Sequence, residues 1–277
     1  MFKNLEAVFK GSFFFTKIMD NRPIGLFDSG IGGISILDKL KELLPNENFI
    51  FLADNKNCPY GYKSKKEIIF LSTKNCEKLI ELNCKVLVVA CNTATTNAIE
   101  KLREVIDIPI IGIEPGIKPA ISYTKTKNIG ILATEKTLNS KLFFETTNDN
   151  KIHDIKIHEQ IGYKLVNIIE DGIISKKELD TILKLYLNPM IEKNIDCLVL
   201  GCTHYHYLKD NIKEILPPGI SIIDTITPVN KHIKNVLILN ESLNLHKNKG
   251  YVKIFYNGEK LSEKYIGKEY KLNYLEF

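Results

Sequence analysis

The chain has 277 residues, of which 44% are hydrophobic and 26% are charged, a balance typical of a globular protein with a sizeable core. This length suits one large domain or two smaller ones. The net charge is +5, but the cations are almost all lysines scattered among acidic residues, and Arg22 and Arg103 are the only arginines. That pattern does not fit a nucleic-acid-binding protein, which more often carries a basic stripe with arginines.

Residues 1–18 differ in character from the rest of the chain. Their apolar run, Phe13 to Phe15, is flanked by Lys10 and Lys17 and is too short for a secretory signal or a membrane span. We expect residues 1–18 to be a disordered extension or a non-native start, with translation beginning at Met19. The six cysteines form no CxxC pair or disulfide framework, which favours a reducing, cytoplasmic location without membrane association.

From residue 23 onward, short apolar runs alternate with amphipathic stretches. The apolar runs are continuous, as in strands buried on both faces, and predict strands over residues 23–28, 49–53, 86–90, 108–113, 128–132, 197–201 and 220–224. The amphipathic stretches predict helices over residues 34–44, 65–82, 94–105, 178–193 and 207–215. Such alternation of strand and helix predicts an α/β fold with parallel sheets.

Two blocks of sequence recur in the same order, which indicates an internal duplication. Residues 22–29 resemble residues 127–134, and residues 83–93 resemble residues 194–204, at offsets of 105 and 111 residues. We therefore expect two similar, pseudo-symmetric domains with an active-site cleft between them. Their expected extents are residues 19–115 plus 225–277 for the first domain, and residues 116–224 for the second.

Each copy of the second block contains a cysteine just after the predicted strand: Cys91 in the first half and Cys202 in the second. Ligands of parallel α/β sheets lie outside the carboxyl ends of the strands, so two facing halves bring two thiols to opposite sides of one small molecule. Racemisation at an amino-acid α-carbon needs such a pair, because a proton leaves one face and another arrives at the other. The other four cysteines lack this setting; Cys58 lies in a loop that is expected near the site without acting in it.

Both thiols lie at predicted strand-to-helix turns, where backbone N–H groups favour a thiolate and hold a substrate carboxylate. Asn92 and Thr93, which follow Cys91, and Thr203, which follows Cys202, add neutral donors beside this carboxylate, as does Ser29 at the end of the first predicted strand. Asp28 is placed to bind a substrate ammonium or to assist a thiol, and His204 to stabilise or protonate Cys202. A metal site within residues 202–206 is disfavoured because it lacks a second cluster of ligands, and no metal or cofactor is expected.

Five segments resemble glutamate racemases, of the aspartate/glutamate racemase family, in order and spacing: residues 24–33, 58–61, 88–93, 112–115 and 200–204. Residues 19–23 also resemble the usual start of that family. The resemblance covers residues 22 to about 230, and its combination of motifs is highly specific. It implies two α/β domains, with the C-terminal segment returning to the first, and cofactor-independent interconversion of L- and D-glutamate for peptidoglycan.

The resemblance also implies roles for individual residues. Cys91 would exchange the proton of D-glutamate with help from Asp28, and Cys202 that of L-glutamate with help from His204. Substrate contacts would come from Asp28, Ser29, Tyr60, Gly61, Asn92, Thr93, Thr134, Thr137, Thr203 and His204. Glu170 aligns with a family glutamate that supports His204 or Cys202, although a Cys-Pro pair that is frequent upstream of it in the family is absent here, and Ala133 replaces a usual glycine.

Other functions remain open on the residues alone. A racemase for aspartate or another amino acid would share the two thiols and differ in pocket size. A non-catalytic amino-acid-binding protein would need neither thiol, and a thiol hydrolase using Cys91 would not need Cys202. We expect a small-molecule substrate and a homodimer, although no motif specifies the arrangement of the subunits.

Overall fold

The computed structural model describes residues 20–114, 116–147 and 154–277. The expected extension over residues 1–18, the start at Met19 and Pro115 of the fourth family motif lie outside these ranges. Among the helices within these ranges, none combines the length and the apolar character needed to cross a membrane.

The strands of the described chain form two sheets, in which every pairing is parallel. The first sheet has the order β10-β9-β2-β1-β3-β4 and the second has the order β6-β5-β7-β8. The strands are β1 (Ile24–Asp28), β2 (Phe49–Ala53), β3 (Val86–Val89), β4 (Ile110–Gly112), β5 (Asn128–Ala133), β6 (Lys156–Ile161), β7 (Cys197–Gly201), β8 (Ser221–Ile222), β9 (Val252–Tyr256) and β10 (Leu272–Tyr274). The prediction of an α/β fold with two parallel sheets is confirmed.

Helices connect and cover these strands. They are α1 (Ile34–Leu43), α2 (Lys65–Glu81), α3 (Asn92–Val105), α4 (Ile117–Tyr123), α5 (Glu135–Leu138), α6 (Lys141–Thr147), α7 (Leu165–Asp171), α8 (Lys176–Ile191), α9 (Lys209–Ile215) and α10 (Ile226–Leu239). The starts of α2 and α8 are fixed by capping boxes, in which Ser64 pairs with Glu67 and Ser175 pairs with Glu178. A serine hydroxyl there accepts from a helix N–H group that has no partner within the helix.

The duplicated blocks occupy equivalent positions in the two sheets. In the first sheet β1 pairs with β3, and in the second β5 pairs with β7. One residue, Ala90, separates Cys91 from the end of β3 at Val89, whereas Cys202 directly follows β7. The pseudo-symmetry of the chain thus places both cysteines at the carboxyl ends of central strands.

Some predicted boundaries are wrong, and the cause is local. The helix predicted over residues 207–215 is a 3-10 turn, Thr203–Leu208, followed by α9. The helix predicted from residue 94 begins at Asn92, because the Cys91 side chain caps it. Strands β6, β9 and β10 were not predicted: they mix polar or charged residues with apolar ones, so they lack a continuous apolar run.

Candidate active site

Cys91 lies in the turn between β3 and α3 and is only 5% exposed. Its Sγ accepts a hydrogen bond from the N–H group of Ala94 at 3.5 Å and lies 3.8 Å from Ser29 Oγ. Burial raises the pKa of the Cys91 thiol well above its usual range, and the charge of Asp28 raises it further, whereas the Ala94 N–H group offsets only part of this. The N–H group at the helix start thus lowers the pKa of Cys91 but does not outweigh burial and the charge of Asp28, so this setting favours the thiol.

Asp28 ends β1 and is fully buried beside Cys91. Its Oδ1 accepts from the Ser29 N–H group at 2.6 Å, and its Oδ2 accepts from Thr203 Oγ1 at 2.9 Å. Burial raises the pKa of Asp28, although the charge of His204 and hydrogen bonds, including one from the Cys91 thiol, oppose this rise. Asp28 thus links the first thiol to the turn that follows the second.

In the second half of the chain, the His204 ring contacts both the Cys202 thiol and the Glu170 carboxylate. Cys202 Sγ is 3.9 Å from Nδ1 of His204, and Nε2 of the same ring is 2.5 Å from Glu170 Oε1. Burial by itself lowers the pKa of His204, but hydrogen bonds with two thiols and with Glu170 outweigh it and raise that pKa well above the usual range. The arrangement gives Cys202 a neighbouring group that can hold a proton.

Glu170 also fixes the glycine-rich turn after β1, since its Oε1 accepts from the N–H group of Ile31 at 2.8 Å. Close approach requires glycine at two positions of this turn. A Cβ atom on Gly30 would lie 1.8 Å from Glu170 Oε1, and one on Gly32 would lie 2.4 Å from His204 Nδ1. The missing side chains make room for residues of the second half of the chain.

Three threonine hydroxyls form a second contact across the two halves. Thr93 Oγ1, at the start of α3, lies 2.8 Å from Thr134 Oγ1 and 3.2 Å from Thr137 Oγ1. Gly61 packs beside them, because a Cβ atom there would lie 3.1 Å from Cβ of Thr134. Asn92 is 6% exposed, and its side-chain amide forms no hydrogen bond within the described chain. It is therefore available as a donor.

Not every predicted residue directs its side chain into this group. The buried Tyr60 hydroxyl donates to Asp54 Oδ2 at 2.5 Å and is also bonded by Asn75, so only its backbone is free to meet a ligand. The ring of His206, which the sequence does not assign to the site, is bonded to Thr225 Oγ1 at 3.1 Å.

Cys58, which is expected near the site, directly contacts two of its residues. Its Sγ lies 3.7 Å from Glu170 Oε1, and Cys58 also hydrogen bonds with His204. Burial raises the pKa of the Cys58 thiol to about 12. Its position beside the Pro-Tyr-Gly motif is the only sequence signal that points to the site.

The two thiols face a closed interior. Cys202 is 6% exposed, and it lies near enough to Cys91 for its charge to raise the pKa of Cys91. A cavity of about 440 Å³ opens beside Cys58 and Glu170. A ligand that reaches both thiols therefore requires an opening of the cleft or passage from this cavity.

The model of the Asp/Glu/Hydantoin racemase family matches residues 25–229. A glutamate racemase of Ralstonia pickettii is 44% identical over 215 residues, which are 78% of this chain and 76% of that protein.

Solved structures agree. A glutamate racemase isoform of Bacillus anthracis superposes with a TM-score of 0.84 and 29% identity, covering 93% of this chain and 98% of that one. The Francisella tularensis glutamate racemase, solved in complex with D-glutamate, superposes with a TM-score of 0.75 and 33% identity, covering 86% of this chain and 89% of that one. This chain therefore belongs to the Asp/Glu/Hydantoin racemase family and, within it, to the glutamate racemases.

Proposed function

We propose that this protein interconverts L- and D-glutamate by removing the α-proton with one cysteine and returning a proton with the other. The observation that carries the proposal is the position of Cys91 and Cys202 at equivalent strand ends, buried and close enough to interact. The glutamate racemases that resemble this chain, including one solved with D-glutamate, support glutamate as the substrate. The product would supply D-glutamate for peptidoglycan.

In the direction from L to D, the Cys202 thiolate takes the α-proton and becomes a thiol. The electron pair left on the α-carbon is delocalised into the substrate carboxylate, and the Cys91 thiol then donates its proton to the opposite face. In the reverse direction the roles exchange. His204 and Glu170 hold the proton released when Cys202 is a thiolate, and the high pKa of His204 supports this role.

Asp28 has a separate role beside Cys91. Its charge raises the pKa of the Cys91 thiol, which suits a group that waits to donate a proton. A substrate ammonium beside Asp28 would neutralise that charge and make the Cys91 thiolate easier to form in the D-to-L direction. The same residue would thereby bind the ammonium and couple substrate binding to activation of the thiol.

Hydrogen-bond donors around the two thiols would hold the substrate carboxylates. The free side chain of Asn92 and the backbone at Tyr60 and Gly61 are the strongest candidates, because the Tyr60 hydroxyl is already bonded. The remaining proposed contacts are hydroxyl groups and an imidazole, namely Ser29, Thr93, Thr134, Thr137, Thr203 and His204. All of these groups act without a metal or an organic cofactor.

The proposed domains are residues 19–115 with 225–277, and residues 116–224. The segregation of β5 to β8 into one sheet supports this division, as does the return of β9 and β10 to the sheet of β1. A change in the angle between the domains would open the closed cleft to substrate.

We further propose a cytoplasmic homodimer. The six cysteines of the chain are all free thiols, which supports a reducing compartment. Large apolar side chains on the surface, among them Ile173 at 88% and Leu239 at 81% exposure, support burial of some surface against a second copy. Sedimentation equilibrium of the purified protein tests the assembly.

A direct assay tests the activity. The purified protein is incubated with L-glutamate, and separately with L-aspartate, without added pyridoxal phosphate, and optical rotation is followed. Loss of rotation with glutamate is the expected result. Activity with aspartate alone would identify the other substrate, and activity with neither would contradict a racemase.

A further inference from the structure

A group of three potential metal ligands lies at one edge of the cleft. Cys58 Sγ, Glu170 Oε1 and His204 Nε2 come from three separate parts of the chain, and the ligand atoms of these residues all lie within 4.8 Å of one another. The reaction proposed above uses His204 and Glu170 to hold a proton, but it gives no task to Cys58.

The spacing of the three atoms is near that of a tetrahedral zinc site. Bonds of about 2.3 Å to sulfur and about 2.0 Å to nitrogen or oxygen place neighbouring ligand atoms roughly 3.3–3.5 Å apart. The distance from Cys58 Sγ to Glu170 Oε1 is 3.7 Å, which needs almost no adjustment. The distance from His204 Nε2 to Glu170 Oε1 is 2.5 Å. An ion would replace that hydrogen bond and would increase the distance between the two atoms by about 1 Å.

The surroundings complete such a site. The other ring nitrogen of His204 faces Cys202 Sγ at 3.9 Å, and a ligating histidine is commonly fixed by a partner on its second nitrogen. The cavity of about 440 Å³ is bordered by Cys58 and Glu170, so it offers both access from solvent and room for a water ligand in the fourth position.

We propose that Cys58, Glu170 and His204 bind a thiophilic divalent cation, with Zn²⁺ as the best match for one sulfur, one nitrogen and one oxygen ligand. On binding, the Cys58 thiol and the His204–Glu170 pair release their protons to solvent, and three metal bonds form. The ion then occupies the groups that hold a proton for Cys202. The site is therefore inhibitory: metal binding stops racemisation, and a chelator restores it.

Spectroscopy tests the site without reference to activity. Co²⁺ added to the full-length protein should bind at one equivalent and give a sulfur-to-cobalt charge-transfer band, and Zn²⁺ should displace it. Cys58→Ala should remove the band and weaken Zn²⁺ binding, measured by calorimetry, by at least ~100-fold, because even the loss of partners outside the coordination shell costs ~10–100-fold. The activity that remains in Cys58→Ala should be insensitive to Zn²⁺ at concentrations that inhibit the wild type.

Cys76→Ala is the matched control, since Cys76 is a buried thiol on α2 that lies outside the group of three. It should bind Co²⁺ and Zn²⁺ like the wild type. A Co²⁺ band that survives in Cys58→Ala, or one that disappears in Cys76→Ala, would overturn the site, as would an absence of stoichiometric binding. A different outcome is metal binding through Cys58 by a purified protein that shows no racemase activity. That result would support the metal site but contradict both its inhibitory role and the proposed function.

Discussion

At the scale of single residues, the two thiols are equivalent in position but differ in surroundings. Cys91 has a buried carboxylate beside it, whereas Cys202 has an imidazole that is itself bonded to Glu170. The first setting favours a thiol and the second provides a group that accepts a proton. This difference gives the resting site one thiol ready to donate, as a reaction that starts from L-glutamate requires.

Replacement of either thiol by serine should separate proton exchange from inversion. A single remaining cysteine can remove and return a proton only on its own face. Cys202→Ser should therefore still exchange the α-proton of D-glutamate with D₂O, Cys91→Ser should do so with L-glutamate, and both should lose racemisation by at least ~10²-fold. Nuclear magnetic resonance with a chiral assay measures both quantities. Near-full racemisation by either variant would refute a two-thiol reaction.

Glu170→Gln tests the line from Glu170 to Cys202. An amide cannot take a proton from His204, and it weakens the bond to Ile31 as well. We expect turnover to fall by about 10²-fold, a loss typical of misplaced catalytic groups. Deuterium exchange should slow more with L-glutamate than with D-glutamate, because only the Cys202 side is affected. Equal slowing with both enantiomers would indicate a structural role instead.

The sequence anticipates the residues of the site better than their directions. Cys91, Cys202, Asp28 and His204 follow from their positions at strand ends, since parallel strands bring such ends together. The direction of the Tyr60 hydroxyl does not follow. It depends on hydrogen bonds with Asp54 and Asn75, which both lie outside the motif of residues 58–61. The contact of Cys58 with Glu170 joins residues 112 positions apart, and no local pattern records it.

At the scale of elements, strands with continuous apolar runs were predictable, whereas strands of mixed polarity and very short helices were not. β2 and β7 are continuous apolar runs buried on both faces, and both were predicted with their observed bounds. β6 is a partly exposed edge strand of the form Lys-Ile-His-Glu-Gln-Ile, so burial does not shape its sequence. α5 has only four residues, too few for a helical periodicity to appear.

The turn between α4 and β5 should make stability depend on pH through Asp196. Its Oδ2 accepts from the N–H groups of Lys125 and Thr126, and its Oδ1 accepts from Thr124 Oγ1. Burial alone would raise the pKa of Asp196, but these hydrogen bonds outweigh it and lower the pKa below the ordinary value of 3.8.

A lowered pKa of a carboxyl group stabilises the fold above the unfolded-state value, and this stabilisation is lost as pH falls through the folded-state value. Asp196→Asn should therefore be less stable than the wild type at about pH 7, and the difference should shrink at about pH 3. Urea unfolding at both pH values measures it. A difference that stays constant would show that the carboxylate charge is irrelevant.

At the scale of the whole molecule, one buried ion pair joins distant parts of the chain. Lys85 Nζ lies 2.7 Å from Glu47 Oε2 and donates to the carbonyl oxygens of Asp20 and Ser242, also at 2.7 Å. The side chains of the pair are 0% and 2% exposed. Lys85 therefore anchors the chain before β1 and the segment before β9 to the same sheet.

Lys85→Met should destabilise the protein by about 3–5 kcal/mol, because it leaves the Glu47 carboxylate buried without a positive charge beside it. The matched control is Lys101→Met, which breaks the exposed pair with Glu104 and should cost under about 1 kcal/mol. Denaturant unfolding of both variants measures the two costs. Equal costs would mean that the buried pair has no special part in stability.

The duplication is the feature of the sequence that predicts most about the whole molecule. It places one cysteine at the end of β3 and another at the end of β7, and the two sheets bring them together. The closure of the cleft could not be read from the sequence, because it arises from contacts between halves such as Thr203 with Asp28 and Thr93 with Thr134.

If the two thiols act on opposite faces of one α-carbon, the α-proton of the substrate and the α-proton of the product have different origins, which an early measurement in D₂O distinguishes. L-glutamate is added, and deuterium at the α-carbon is measured in each enantiomer before much has reacted. We expect the D-glutamate formed to carry solvent deuterium while the remaining L-glutamate keeps its proton, because the thiol that donates is not the thiol that removed the proton. Product D-glutamate that retains the substrate proton would show a single base at work and would contradict the account.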